Sequence, residues 1–143
     1  MARKPTTLQA QDNEGNLISV TPGQIDGQAH WLYSRGQCVA LAAAISVHTG
    51  APAFVIVSAE HTVVHAFAGH DDGFIDIAGW HQQLTPPAGA GIIQWRPDMI
   101  ERMVEFYSPG LPRQNLPLAE LFVESALHQC RIQREGLEVA QCI

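Results

Sequence analysis

Three side chains in the middle of the chain supply the groups of a nucleophilic site. Cys38 carries a thiol, His65 an imidazole and Asp76 a carboxylate. A cysteine reacts as its thiolate, an imidazole can take up the thiol proton, and a carboxylate can orient that imidazole. We therefore ask first whether the sequence predicts elements that bring these three residues together.

The thiol lies at a position that favours reactivity. The segment CVALAAAISVHTG (38–50) predicts a helix, because alanine and leucine are strong helix formers and Gly50 is a good stop signal. Its apolar residues cover every side, which predicts a helix buried all round. Cys38 opens this helix, where unpaired N–H groups stabilise a thiolate and can hold an oxyanion.

An antiparallel sheet is expected to follow the helix. Three short runs of apolar and β-branched residues, separated by turn formers, predict successive strands: AFVIVS (53–58), TVVHAFA (62–68) and GFIDIAGW (73–80). Their order predicts a meander beside the buried helix.

The second and third strands carry the imidazole and the carboxylate. If the turn between them is tight and places Gly69 opposite Asp72, the register puts His65 opposite Asp76. Directly opposed residues have Cβ atoms about 5 Å apart, within hydrogen-bond reach for these side chains. A carboxylate among apolar neighbours also needs a partner. We therefore predict a His65–Asp76 pair.

The rest of the chain completes a single α+β domain over residues 25–143. Residues 1–24 are polar and are predicted to be an N-terminal arm or lead-in, in which LISV (17–20) could form a short edge strand. A possible fourth strand and two covering helices follow the meander, over residues 92–95, 98–107 and 118–132.

The segments RGQCVALAAAISVHTG and VVHAFAGHDDGFIDIAGW resemble the papain-like cysteine hydrolase superfamily. The resemblance covers residues 36–80 and is nearest to small bacterial effector and toxin domains of the transglutaminase-like or NlpC-like kind. It implies a papain-like or transglutaminase-like core, with Cys38 as nucleophile, His65 as general base and acid, and Asp76 as orienter. It also implies acyl transfer through a thioester.

Papain-type enzymes carry an oxyanion glutamine six residues before the cysteine, where this chain has Leu32. Gln37 and Gln28 are therefore the candidate oxyanion or substrate-binding glutamines. The indole rings of Trp31 and Trp80 either line a substrate groove or fill the core.

Two other kinds of function stay open at this point. The same fold with an inactive site could serve as a protein-binding module, for which Cys38 would be dispensable. A metal-dependent hydrolase could use His61 and His65, which have the outer spacing of a zincin motif. However, the glutamate of that motif is missing and the segment reads as a strand, so we expect no metal site and no cofactor.

Composition limits the partners. The chain has 143 residues and a formal net charge of −6, which argues against nucleic acid and anionic membranes. The expected partner is a protein or peptide that offers a peptide bond or a Gln or Asn side chain. Cys130 is expected to fill the core, Cys142 to be a tail thiol, and neither to form a disulfide. Without a signal or a membrane segment, we expect a cytoplasmic protein or one delivered by a non-classical route.

Overall fold

The computed structural model describes residues 6–70 and 72–141, and their side chains as far as Glu135. The fold is α+β and contains a five-stranded antiparallel sheet and a separate two-stranded sheet. The strands are β1 (Leu8–Gln11), β2 (Leu17–Val20), β3 (Ala53–Val57), β4 (Val63–His70), β5 (Gly73–Asp76), β6 (Gly79–His81) and β7 (Gly91–Trp95). The helices are α1 (Gly27–Ser34), α2 (Cys38–Thr49), α3 (Ile100–Tyr107), α4 (Leu116–Glu120) and α5 (Val123–Gln141).

Helix α2 is the centre of the fold. Every residue from Cys38 to Ser46 is buried, as its uniformly apolar sequence predicts. The helix lies over β4, and its residues belong to two core clusters, one shared mainly with α5 and one with β3. It ends at Gly50, which takes a left-handed φ of 77° and donates its N–H to the Ser46 carbonyl at 2.8 Å.

The large sheet has the strand order β6-β5-β4-β3-β7. Strands β3 to β6 form the expected meander, and β7 returns to pair with β3 at the opposite edge. The prediction of a single strand over 73–80 was wrong, because this segment divides into β5 and β6 around a turn at Ile77 and Ala78. Gly79, with a φ of 114°, permits this tight reversal.

Residues 6–24 pack against the rest of the fold, within the stretch 1–24 that was predicted to be an N-terminal arm or lead-in. Strands β1 and β2 pair as a hairpin, and LISV forms β2 as expected. Ala10 and Val20 are buried in the same cluster as α1, α2 and α5. The alternating small apolar residues of this polar stretch are enough to attach one face of the hairpin to the core.

The C-terminal part covers the sheet and α2 with three helices. The predicted helix over 98–107 begins at Ile100, after a 3₁₀ turn over Pro97–Met99. The predicted helix over 118–132 is interrupted at residues 121–122 and forms α4 and α5. No helix in the described residues has the length and apolar character needed to cross a membrane.

We predict that Gly36→Ala lowers the free energy of unfolding by about 2 kcal/mol, since Gly36 adopts a φ that side chains rarely tolerate. Its φ is 125°, and an added Cβ would meet the backbone N of Asn13 at 2.6 Å. Urea denaturation measures the change. Gly110→Ala is the matched control because open space surrounds that position, and equal stabilities of the two variants would contradict the prediction.

Candidate active site

The structure brings Cys38, His65 and Asp76 together as a candidate triad. The Nε2 atom of His65 lies 2.7 Å from Oδ2 of Asp76, and the Cys38 thiol is near enough to the same ring to raise the pKa of the imidazole. With Nε2–H donated to the carboxylate, Nδ1 is the ring nitrogen left for the thiol. Cys38 is buried, whereas the His65 side chain is 23% exposed, so solvent reaches the imidazole. Nucleophile, base and orienter are thus connected in that order.

The His65–Asp76 bond forms in a register that differs from the predicted one. His70 pairs with Gly73 and Gly69 with Phe74, which shifts the two strands by two residues from the expected pairing. His65 is therefore a diagonal neighbour of Asp76 and not its direct partner. Because side chains alternate with a period of two, this shift keeps both residues on one face. Diagonal neighbours remain within reach of long side chains.

A register irregularity lies next to His65. Ile56 pairs with His65 but Val57 pairs with Val63, so Val64 is an extra residue in β4. Such a bulge increases the local twist and re-aims neighbouring side chains. The bulged residue Val64 directly precedes His65, whose ring interacts with the thiol at the start of α2.

The electrostatics of the triad favour an ionised pair. Burial acts to lower the pKa of His65, but hydrogen bonds with Asp76 and Cys38 outweigh it and raise that pKa to about 10. Burial acts to raise the pKa of Asp76, but hydrogen bonds from His65 and His81 hold it below its usual range. At neutral pH these shifts favour an imidazolium beside a carboxylate.

His81 is a member of this cluster that the sequence analysis did not assign to the site. Its Nε2 atom lies 2.9 Å from Oδ1 of Asp76, and the backbone N–H of Ala78 donates to the same oxygen at 2.9 Å. In β6, His81 pairs with Phe74 and is therefore diagonal to Asp76. The signal that could have located it is the Gly79 turn, which folds His81 back beside the carboxylate.

The start of α2 is capped from a distant part of the chain. Gln114 accepts a hydrogen bond from Ala40 N–H at 3.0 Å and donates to the Gly36 carbonyl at 2.6 Å. The Gln37 carbonyl accepts the N–H of Leu41. Within the described residues, the backbone N–H groups of Cys38 and Val39 have no acceptor. The helix start therefore presents two donors beside the thiol.

Gln37 does not have the geometry of an oxyanion donor. Its Nε2 atom donates to the carbonyls of Gln11 at 2.9 Å and Arg113 at 3.0 Å, and its Oε1 atom accepts from Asn115 N–H. The side chain is 1% exposed, so these bonds occupy the whole amide. Gln37 joins β1 to the segment 112–115. Gln28 lies exposed on α1, and no contact with the triad places it in the site.

Within the described residues, neither tryptophan named as a substrate-binding candidate has a hydrogen bond or ring contact with a triad residue. Trp31 donates its Nε1–H to Asp12 at 3.0 Å and stacks under Arg35. Trp80 donates its Nε1–H to the His70 carbonyl at 2.9 Å. Its backbone N–H donates to Gln133 of α5. These contacts attach Trp31 to the N-terminal hairpin and Trp80 to the C-terminal helix.

The remaining histidine and cysteine candidates lie apart from the triad. His61 is exposed in the β3–β4 turn with a φ of 62°. Among the described residues, no group of three or more His, Cys, Asp or Glu side chains is arranged to hold a metal ion. Cys130 lies on α5 and is buried in the core cluster, and Cys142 lies outside the described residues.

A mainly apolar cleft of about 450 Å³ lies between α3 and the segment 108–117. Val104 and Leu111 contribute to its walls, and so does Gln114, which also caps α2. Ser108, at the start of the segment, accepts the N–H of Val63 in β4 at 2.8 Å. The cleft is therefore a neighbour of the triad, although the three triad residues do not line it.

Comparison of the chain with protein-family models, with curated proteins and with solved structures found no match in any of the three.

We predict that Gln37→Glu destabilises the fold by about 2 kcal/mol or more, because a carboxylate would face two carbonyl oxygens that now accept N–H groups. The free energy of unfolding in urea measures this loss. Gln28→Glu, the same exchange at an exposed position, is expected to stay within about 0.5 kcal/mol of the original protein. A Gln37→Glu variant of unchanged stability would contradict the assignment.

Proposed function

We propose that this chain is a cysteine-dependent amide hydrolase or acyltransferase of the papain-like or transglutaminase-like kind. The observation that carries the proposal is the His65 ring, which hydrogen-bonds to Asp76 at 2.7 Å and interacts with the Cys38 thiol at the start of α2. A cysteine that only fills a core needs neither a helix start nor an imidazole partner. The packing of the cysteine-opened helix on an antiparallel sheet that carries the histidine further supports this type of fold.

The first half of the reaction forms a thioester. The proton of Cys38 resides on His65 as the imidazolium, and the Cys38 thiolate attacks the carbonyl carbon of the amide. The carbonyl oxygen becomes an anion, which the N–H groups of Cys38 and Val39 would hold. The C–N bond then breaks, and the His65 imidazolium gives its proton to the leaving amine. Asp76 keeps the ring oriented throughout these steps.

The second half releases the acyl group. Water attacks the thioester with His65 as general base, which yields a carboxylic acid and regenerates the thiol. An amine in place of water yields a new amide. With a peptide bond as substrate the result is proteolysis. With a Gln or Asn side chain it is deamidation by water or transamidation by an amine.

The proposed substrate is an amide carried by a protein or peptide. A single Gln or Asn side chain suits a domain of 143 residues better than a long peptide, because the chain leaves little room for an extended groove. A bacterial effector or toxin domain would fit this narrow requirement. The acidic net charge favours a substrate region that is basic.

We predict that iodoacetamide labels Cys38 faster in the folded protein than in the urea-unfolded protein at about pH 6, because the His65 imidazolium stabilises the thiolate. Labelling is followed by mass spectrometry from about pH 4 to about pH 9, with the urea-unfolded protein as reference. His65→Ala should lower the rate at about pH 6 by about tenfold or more, because the thiol loses its imidazole partner. A folded protein whose Cys38 reacts like the unfolded thiol would contradict the proposal and favour the protein-binding module.

We predict that the thioester can be intercepted by hydroxylamine as a hydroxamate. The probes are blocked dipeptides with a Gln or Asn side chain, and casein for peptide bonds. Cys38→Ser is expected to lower hydroxamate formation by about 10³-fold or more, since the nucleophile is lost. A chelator should have no effect. Loss of activity on chelation, with activity retained in Cys38→Ser, would instead favour the metal-dependent alternative based on His61 and His65.

A further inference from the structure

We propose that His81 is a positioning residue of the active site, which holds the Asp76 carboxylate in the orientation and charge state that His65 requires. This inference rests on the proposed function, because it gives His81 a role in the activation of Cys38. His81 itself touches neither the thiol nor the carbonyl of a substrate. It acts through Asp76, with which it shares a hydrogen bond of 2.9 Å.

The two carboxylate oxygens of Asp76 accept hydrogen bonds from side chains on the two strands that flank β5. Oδ2 accepts from His65 of β4, and Oδ1 accepts from His81 of β6. The backbone N–H of Ala78 gives Oδ1 a second donor. A carboxylate held at only one oxygen can rotate about its Cβ–Cγ bond. The bonds from His81 and from the Ala78 N–H together oppose that rotation and keep Oδ2 directed at His65, and His81 is the one of these two donors that a side-chain substitution removes.

The backbone around His81 is closely constrained. Asp76 pairs with Gly79 and Phe74 with His81, so β5 and β6 form a very short hairpin. At Gly79 an added Cβ would collide with the side-chain amide of Gln133. The same amide accepts the N–H of Trp80, on the residue before His81. This hairpin therefore holds the His81 ring at a defined distance from Asp76.

The charge of Asp76 also depends on its donors. Burial acts to raise its pKa, and the hydrogen bonds from His65 and His81 act to lower it. Among the described residues, His81 is bonded to Asp76 of β5, which also holds His65 of β4, and the nearest cation on α5 that a contact fixes is Arg134, whose guanidinium carbon lies 4.9 Å from the ring of the neighbouring Trp80. Without the donor at position 81, Asp76 would become protonated at a higher pH and release His65 earlier as the solution is acidified.

The experiment compares variants that keep or remove the donor. His81→Met has a side chain of similar length but no N–H, whereas the amide of His81→Gln can still donate to Asp76. His48→Gln is the control, because His48 is exposed at the far end of α2. Cys38 alkylation by iodoacetamide is measured from about pH 4 to about pH 9, and folding is checked by urea denaturation.

We expect His81→Met to move the acidic limb of the alkylation profile upward by about one pH unit. The control should leave the limb unchanged, and His81→Gln should return it toward the original position. A purely structural role would change stability without moving the limb. If His81→Met does not fold, His81→Ala takes its place in the comparison with His81→Gln.

Two negative results are distinguishable. In the first, Cys38 of the original protein is alkylated rapidly, but the acidic limb of the profile lies at the same pH in His81→Gln and in the variant without a donor. This result overturns the role of His81 alone. Cys38 that reacts like an unfolded thiol in the original protein overturns the proposed function and the role of His81 with it.

Discussion

The buried carboxylate of Asp76 is the constraint on which the site depends. An ionised group at this depth is strongly destabilising unless it is paired and hydrogen-bonded. Three donors meet this demand: His65, His81 and the N–H of Ala78. His65 comes from β4, His81 from β6 and Ala78 from the turn between β5 and β6. These elements and β5, which carries Asp76, must therefore all be in place. The arrangement that satisfies the carboxylate also fixes the imidazole.

The start of α2 presents a similar problem of unpaired polar groups. A helix begins with N–H groups that have no partner within the helix, and this helix is buried. The chain satisfies part of this need with Gln114, while Gln37 joins the neighbouring backbone segments. In the described structure, the backbone N–H groups of Cys38 and Val39 are left without an acceptor. The same long-range contacts that stabilise the helix start thus leave two donors at the place where the proposed mechanism forms an oxyanion.

Asp76 and Gln37 show that buried polar residues can serve two different purposes in a small domain. Both are buried polar residues, and both have their hydrogen bonds satisfied. The partners of Gln37 are backbone groups, which makes it a structural connection. The partners of Asp76 include two side chains that can carry a proton, one of which reaches the thiol. Burial alone does not distinguish these two residues, whereas the chemistry of their partners does.

Much of the site was available from the residues alone. The run of alanine and leucine determines that α2 is a buried helix with Cys38 at its start, because that preference is local. The alternation of side chains determines that His65 and Asp76 share a face, and this parity survives the shift of two residues in register. The sequence analysis missed the role of the N-terminal hairpin, since its apolar residues are few and short.

Tertiary structure alone decided which groups complete the site. The cap on α2 comes from Gln114, 74 residues from Ala40, and no local pattern connects the two. The bond from His81 depends on how the β5–β6 turn closes. The role of Gln37 depends on the carbonyls of Gln11 and Arg113, which lie far from it in sequence on either side. The physical reason is that helix preference and strand alternation are properties of neighbouring residues. Hydrogen-bond partners are chosen by which segments the packed core brings into contact.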